Sequence, residues 1–228
     1  MAFRKKAVHI LKYKPDILVV PECEHPDKLN FVSRTNKPKQ ILWFGENKNK
    51  GLGVFCYCDL KLEVLDVYNS DFKMVVPISV KGGSIEFNLF AVWANNPNDK
   101  DGQYVTQVWK AINHYDHLLK SSPSILTGDF NSNAIWDKKN RPDTHSNVVE
   151  YLRLYGIVSL YHSFHNQVHG EEKHATFYLY KHKNKPYHLD YCFGSECFLA
   201  RVESVVMGRH SKWAKFSDHS PVIVTIKE

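Results

Sequence analysis

Four short segments of the sequence end an apolar run on side chains that can bind a cation or move a proton. They are residues 19–22 (VVPE), 125–131 (ILTGDFN), 187–191 (YHLDY) and 216–221 (FSDHSP). A carboxylate is costly to bury without a partner, and carboxylate and amide oxygens suit hard divalent cations. If the strand ends converge in the fold, the four segments predict a ring of oxygen ligands around such a cation.

Each segment also has an ordinary structural explanation. An aspartate that follows a glycine, as in Gly128-Asp129, most often caps a turn. A single histidine such as His219 is more often a surface or core residue than a catalyst. A functional site is therefore indicated by the four segments together, and by none of them alone.

The apolar pattern around these segments predicts mainly strands. Helical spacing covers residues 3–11 and 102–120, and a further helix is expected from a Thr144 N-cap to Gly156. Strand-like runs fall at residues 17–20, 41–44, 53–57, 72–80, 85–93, 124–127, 176–180, 189–193, 202–207 and 222–226. Strands and helices do not alternate strictly, so we expect an α+β fold. The expected architecture is a four-layered α/β sandwich, in which helices flank two packed, mostly antiparallel or mixed sheets, as a single domain over residues 1–228.

The composition is that of a globular protein with a modestly basic surface. The chain has 43% hydrophobic and 13% aromatic residues and a formal net charge of +6. No apolar run approaches the roughly 18 residues of a membrane span. Lys12 and Lys14 stand where a signal peptide would be apolar. We therefore expect a cytoplasmic protein without a membrane partner, and no obligate protein partner is evident.

Two groups of residues could bind zinc, but an ordinary role is favoured for both. The five cysteines are an odd number scattered mostly in strand-like runs, which indicates reduced, buried thiols. Cys56 and Cys58 are two residues apart and lack a matching second pair. His162, His165 and His169 fall at helical spacing, for which a solvated helix face is favoured.

In content and order the four segments resemble the motifs of the endonuclease/exonuclease/phosphatase superfamily, which includes type I deoxyribonucleases and abasic-site endonucleases. Glu22 is similar to the family's metal-binding glutamate, and Asp190 to its aspartate before a strand. Residues 128–131 are similar to its Gly-Asp-x-Asn motif and residues 217–221 to its closing Ser-Asp-His-x-Pro motif. The resemblance covers almost the whole chain. It implies Mg²⁺-dependent hydrolysis of phosphodiester bonds, with Mn²⁺ as an alternative metal.

The resemblance also implies a role for each motif residue. Asp129 would orient or deprotonate the attacking water, and Asn131 would hold the water or a phosphate oxygen. Glu22 would bind the metal, which polarises the phosphoryl oxygen, and Asp218 would be a further metal ligand or an electrostatic neighbour. His219, oriented and kept cationic by Asp190, would bind the non-bridging oxygens of the phosphate.

Two further positions follow from the same resemblance. Asn95 lies where family members place a phosphate-contacting Tyr, His or Asn, although turn formation explains Asn-Asn-Pro equally well. The family's first strand carries an Asn of the metal and phosphate site, whereas this sequence opens in the helix that comes next. A misassigned start, a shortened sequence or a loss of activity would each explain this difference. The first two are favoured, and an intact mass of the native protein should reveal a longer product.

Basic and aromatic residues in predicted loops favour nucleic acid as the substrate. Trp136, Lys138, Arg141 and Trp213 are expected to contact it, although a loop tryptophan more often packs against its own protein. Residues 137–147 are expected to form a functional surface loop. A phosphatase or phospholipid phosphodiesterase of the same superfamily is one alternative. A catalytically impaired nucleic-acid-binding protein that keeps the fold is the other.

Overall fold

The computed structural model of the chain describes residues 3–29, 37–72, 74–95 and 103–227. Its strands are β1 (Ile17–Cys23), β2 (Gln40–Asn47), β3 (Lys50–Cys56), β4 (Lys61–Val64), β5 (Val75–Lys81), β6 (Phe87–Trp93), β7 (Ser124–Asp129), β8 (Ile157–Ser159), β9 (Phe177–Tyr178), β10 (Pro186–Tyr187), β11 (Asp190–Ser195), β12 (Val202–Met207) and β13 (Val222–Ile226). Its helices are α1 (Ala7–Ile10), α2 (Val105–His114), α3 (Asp116–Ser121), α4 (His145–Arg153), α5 (Leu160–His165), α6 (Glu196–Leu199) and α7 (His210–Trp213).

Two main sheets carry the fold. One has the strand order β1-β3-β2, and the other has six strands in the order β4-β5-β6-β7-β11-β8. Neighbouring strands in these sheets are antiparallel, except for β6 and β7, which are parallel. The pairs β9–β10 and β12–β13 form two small antiparallel sheets. This is the mixed, mostly antiparallel arrangement that the sequence predicts.

The alternation of side chains along β6 separates two cores. Ala91 lies in the core between the two main sheets, together with Leu52 of β3. Phe90 lies on the opposite face and belongs to the core formed with Ile112 of α2 and Leu152 of α4. Full burial of one such aliphatic side chain stabilises the fold by about 2 kcal/mol.

The N-terminal segment and α7 lie on the other face of the β1-β3-β2 sheet. Phe3, Ala7 and Ile10 pack there with Phe55 of β3 and Trp213 of α7. The layers are therefore helix, sheet, sheet and helix, which confirms the expected four-layered sandwich.

Two of the predicted strands match the structure at both ends. β12 and β13 coincide with the predicted residues 202–207 and 222–226. β4 is not predicted, because Lys61 and Glu63 interrupt its apolar residues. The predicted strand 176–180 is reduced to β9, because Tyr180 and Lys181 adopt left-handed φ angles of 54° and 62°.

The predicted helices differ from the structure at their ends. Residues 101–102 lie outside the described residues, and the remainder of the helix predicted at 102–120 is divided into α2 and α3 at Tyr115. The ring of Tyr115 is fully buried, and its hydroxyl accepts a hydrogen bond from the backbone N of Asn69 at 3.0 Å. Thr144 caps α4 as predicted, accepting a hydrogen bond from the backbone N of Asn147 at 3.2 Å. The expected loop 137–147 is shorter, since α4 begins at His145.

The interpretation of the three spaced histidines as a solvated helix face is wrong. His162 is only 7% exposed, and α5 ends at His165, so His169 lies beyond the helix. The cysteines of the described residues are free thiols, with Cys197 exposed. Among the described helices, none has the length and apolar character needed to cross a membrane.

Candidate active site

The motif residues meet where the end of β7 lies beside the start of β11. Asp129 pairs with Asp190 in the sheet ladder, and the segment of His219 forms a bridge to Phe177 beside them. Nδ1 of His219 lies 2.9 Å from Oδ2 of Asp190, and Nε2 lies 4.0 Å from Oδ2 of Asp129. The structure thus brings together three residues from three separate segments.

A tight turn after β7 fixes the Asp129 carboxylate. Gly128 has a φ of 139°, and a Cβ there would lie 1.9 Å from the carbonyl oxygen of Val92, so the position requires glycine. Asn131 has a left-handed φ of 46°. Its backbone N donates to Oδ1 of Asp129 and its Nδ2 donates to Oδ2, both at 2.9 Å. Both carboxylate oxygens are therefore held by the Gly-Asp-x-Asn motif itself.

The surroundings of His219 favour its cationic form. Burial lowers the pKa of His219, but the charge and hydrogen bond of Asp190 outweigh it, and the pKa is raised to about 9. The charge of Asp129 adds to this effect. Because Nδ1 is engaged by Asp190, Nε2 is the ring nitrogen that remains for an anionic ligand.

The site has oxygen donors that suit a divalent cation. Carboxylate oxygens of Asp129 and Asp190 lie within 4.8 Å of each other and of a nitrogen of His219, which in its cationic form has no lone pair for a metal. Burial and the nearby charge of Asp190 raise the pKa of Asp129 well above its usual range. Two close carboxylates repel, and a cation or a proton relieves that repulsion. The residues therefore fit the metal that the resemblance implies.

Glu22 and Asp218 lie at the margin of this cluster. Glu22 has a left-handed φ of 57°, and its carboxylate forms an ion pair with Lys50 of β3 at 2.6 Å. Burial acts to raise the pKa of Glu22, but the hydrogen bond from Lys50 contributes to a net lowering. The charge of Glu22 acts on Asp129, and the charge of Asp218 acts on His219.

Lys6 is a site residue that the sequence does not indicate. Its Nζ donates to Oγ of Ser217 at 3.4 Å. Burial lowers the pKa of Lys6, and the opposing charges of Glu22, Asp218 and Asp190 place its ammonium group among the site carboxylates. A lysine next to a short helix is ordinarily solvated, so only the packing of the N-terminal segment reveals it.

Asn95 lies next to the turn that holds Asp129. The carbonyl oxygen of Ala94, one residue earlier, accepts a hydrogen bond from Nδ2 of Asn131 at 2.8 Å. The backbone N of Asn95 donates to Oε1 of Gln107 at 3.3 Å. Residues 96–102 lie outside the described residues. The prediction that Asn95 contacts phosphate remains a prediction.

The four residues predicted to contact substrate differ in their exposure and in their contacts. Trp136 is 47% exposed, with its ring 5.0 Å from that of Tyr187, and Lys138 is exposed. Arg141 forms an ion pair with Asp143. Its Nη2 donates to Oδ2 of Asp143 at 2.6 Å, and its Nε donates to Oδ1 at 2.9 Å. The prediction for Trp213 is wrong, because its side chain is 2% exposed and fills the core beside the N-terminal segment.

Known structures share this fold. No protein-family model matches the sequence, and the comparison with curated proteins finds no match. An AP endonuclease from Archaeoglobus fulgidus is similar over 99% of this chain and 94% of its own, with 17% identity and a TM-score of 0.67. A 3′ phosphatase, NExo, from Neisseria, bound to product DNA hairpin, covers 99% of this chain and 95% of its own, with 16% identity and a TM-score of 0.66. An endonuclease/exonuclease/phosphatase family protein from Leptotrichia buccalis covers 99% of this chain and 92% of its own, with 17% identity and a TM-score of 0.62. The chain therefore has the fold of the endonuclease/exonuclease/phosphatase superfamily, as the motif resemblance implies.

Proposed function

We propose that the chain hydrolyses phosphodiester bonds of nucleic acid in a Mg²⁺-dependent reaction. The observation that carries this proposal is the pair of His219 and Asp190, 2.9 Å apart, with the carboxylate of Asp129 4.0 Å from the other ring nitrogen. The cationic ring of His219 can stabilise the negative charge that develops on a phosphate. The carboxylate of Asp129 beside it can accept a proton from water.

In the proposed reaction, each of the central site residues has a separate role. His219 binds the non-bridging oxygens through Nε2, and the Asp190 carboxylate keeps the ring oriented and protonated. Asp129 accepts a proton from the attacking water, a role supported by the position of its Oδ2, 4.0 Å from Nε2 of His219. Asn131 holds Asp129 and the water in register.

Glu22 and Asp218, with the Asp129–Asp190 pair beside them, supply the oxygen donors that would hold the divalent cation. When bound, such a cation polarises a phosphoryl oxygen and offsets charge on the leaving oxygen. Lys50 and Lys6 stand among these carboxylates, where they offset part of the negative charge. We expect Mn²⁺ to replace Mg²⁺, because the same hard oxygen donors suit both ions.

Exposed aromatic and basic side chains near the site support nucleic acid as the substrate. Trp136 follows the Asp129 turn, and Tyr180 is 75% exposed with Nζ of Lys185 5.9 Å from its ring centre. Aromatic rings stack on bases, and lysines contact the phosphate backbone. Among the structures with this fold are an AP endonuclease and a 3′ phosphatase bound to a DNA hairpin. A phosphomonoesterase or phospholipid phosphodiesterase uses the same chemistry, and substrate turnover distinguishes them.

A hydrolysis panel tests the proposal. Single-stranded, nicked, abasic and 3′-phosphorylated DNA, RNA, bis-p-nitrophenyl phosphate and sphingomyelin are incubated with Mg²⁺, with Mn²⁺ and with EDTA. We expect metal-dependent cleavage of a nucleic acid that is lost in His219→Ala and retained in His117→Ala, a matched change of an exposed histidine on α3.

Each other outcome has a definite meaning. Turnover of sphingomyelin or of a 3′-phosphate alone would replace the proposed substrate with one of the alternative esters. Nucleic-acid binding that is unaffected by Mg²⁺ and by Asp129→Ala, without turnover of any substrate, would show a binding protein and refute the enzyme.

A further inference from the structure

A second group of ionisable side chains lies apart from the catalytic residues. It consists of His162, His169, Glu172 and His188, here named the histidine–glutamate cluster. Ligand atoms of His162, His169 and Glu172 lie within 4.8 Å of one another. The side chains of His162 and Glu172 are 7% and 5% exposed, and His188 is 2% exposed. The cluster is therefore largely closed off from solvent, with His169 as its more open side.

Each imidazole of the cluster has its Nδ1 engaged outside the cluster. Nδ1 of His162 lies 2.7 Å from Oγ of Ser159, and Nδ1 of His169 lies 3.0 Å from Nε2 of His145. Nδ1 of His188 donates to the carbonyl oxygen of His174 at 2.7 Å. Hydrogen bonds of this kind orient a histidine and leave Nε2 for a metal.

The carboxylate of Glu172 is held in place by hydrogen bonds. Its Oε1 accepts a hydrogen bond from the backbone N of Gly170 at 3.0 Å and lies 3.1 Å from Nε2 of His162. Nδ2 of Asn133 lies 3.1 Å from both carboxylate oxygens. The cluster thus contains a fixed anionic oxygen ligand.

Nε2 of His188 is a buried polar atom without a hydrogen-bond partner among the described residues. The Nδ1–H of the ring is donated to a carbonyl, so Nε2 carries the lone pair. The ring lies 5.7 Å from that of His162, and the charge of Glu172 acts on it. An unsatisfied buried acceptor is costly, and a cation next to it would remove that cost.

We propose that His162, His169, Glu172 and His188 bind one Zn²⁺ ion, at a structural site separate from the catalytic residues. Three imidazole nitrogens and one carboxylate oxygen are a ligand set that zinc accepts in tetrahedral geometry. The site does not depend on the proposed phosphodiesterase activity.

Binding requires a rearrangement of the cluster in which Nε2 of His188 approaches the other ligand atoms, because the group within 4.8 Å of one another consists of His162, His169 and Glu172. Nε2 of His162 and Oε1 of Glu172 are 3.1 Å apart, close to the roughly 3.3 Å between neighbouring ligands of a tetrahedral zinc ion. The rings of His162 and His169 are stacked at 3.5 Å and nearly parallel, so one ring must turn before both nitrogens face the same ion. His169 is the partly exposed member beyond the end of α5, so its ring is the one that turns. The proton that His162 donates to Glu172 then moves to Nδ1 or to solvent.

Cobalt substitution tests the proposal on the full chain. The protein is treated with a chelator, dialysed and titrated with Co²⁺, whose visible d–d bands report tetrahedral coordination. We expect one equivalent of Co²⁺ to produce these bands, Zn²⁺ to abolish them, and Zn²⁺ to raise the melting temperature. His169→Ala should weaken Zn²⁺ binding more than ~100-fold, whereas His165→Ala, at a neighbouring histidine bonded to the carbonyl of Val205, should bind as the wild type does.

Two controls separate this site from others. Cys56 and Cys58 have sulfur atoms 3.7 Å apart, so a Cys56→Ser/Cys58→Ser variant must keep the visible bands, and a thiolate-to-cobalt band must be absent from the wild type. Asp129→Asn, in the catalytic site, must also keep them. Circular dichroism checks that the His169→Ala variant folds. If this variant does not fold, the His169→Gln variant is used in its place.

The absence of tetrahedral bands in the wild type would overturn the proposal. It would be overturned equally by bands that survive both His169 variants, or by bands that vanish in the cysteine variant or in Asp129→Asn. In each case the cluster would be a buried hydrogen-bond network that binds no metal.

Discussion

Replacement of Asp190 by Asn tests whether that carboxylate keeps His219 cationic. Asn retains an acceptor oxygen for Nδ1–H, now at 2.9 Å from Oδ2, but it removes the negative charge. Asp190 is the main cause of the rise in the pKa of His219 from 6.5 to about 9. If the charges of Asp129 and Asp218 offset the effect of burial, Asp190→Asn returns this pKa to about 6.5, a loss of about 3 kcal/mol in stabilisation of the imidazolium.

The size of the effect on activity depends on pH. At about pH 8 the protonated fraction of His219 falls from about 0.9 to about 0.03 on this change, whereas at about pH 6 it falls only from about 1.0 to about 0.8. If the imidazolium binds the phosphate, kcat/KM should fall about 30-fold at the higher pH. At the lower pH, where His219 stays mostly protonated, the fall should be much smaller and should reflect only a changed orientation of the ring.

The measurement pairs kcat/KM from about pH 6 to about pH 9 with NMR titration of the His219 ring in metal-free protein. Asp27→Asn is the matched control, because Asp27 lies 3.2 Å from His25 on the surface. An unchanged titration of His219 in Asp190→Asn would refute the electrostatic role of Asp190. A loss of activity that is equal at both pH values would refute the role of the imidazolium.

Four further outcomes are expected. Gly128→Ala should lower the free energy of unfolding by more than about 1 kcal/mol, because of the positive φ and the close strand neighbour, and urea denaturation measures this. Trp136→Ala should weaken binding to single-stranded DNA by about 1–3 kcal/mol without a change in melting temperature. Trp213→Ala should instead lower the free energy of unfolding by about 3–5 kcal/mol, and a normal melting temperature would contradict its burial. Burial lowers the pKa of His145 to about 4 and of His169 to about 2. The unfolded chain therefore binds more protons below about pH 6.5, so metal-free stability should fall as the pH drops from there towards 4. A urea midpoint that is constant over this pH range would contradict the lowered pKa values of His145 and His169.

The central site residues could be predicted because their signal is local. Asp129, Asn131, Asp190 and His219 each follow or precede an apolar strand in a recognisable motif, and the sheet register brings the strand ends together. The left-handed φ of Asn131 and the positive φ of Gly128 are features that this motif requires.

Residues positioned by tertiary packing gave no such signal. Lys6 reaches the site only because Phe3 and Ala7 anchor the N-terminal segment on the β1-β3-β2 sheet. The basic neighbours of Trp213 predict a loop near the substrate, but its ring packs in the core on that same face of the sheet. Contacts between residues far apart in the sequence determine both positions, and such contacts cannot be predicted from periodicity or composition.

The position of β7 within its sheet has a consequence for how the site responds to a ligand. β7 lies between β6 and β11, whereas β1, which carries Glu22, is a terminal strand of its sheet among the described residues. Amides of a central strand exchange with solvent only in large openings of the fold, and those of a terminal strand exchange in smaller local ones. Hydrogen exchange should therefore be slow at Thr127 and Gly128 and faster around Glu22. Under the proposed function, the half of the site on β7 would hold the attacking water in a fixed position, and the half on β1 would adjust to the cation and the phosphate.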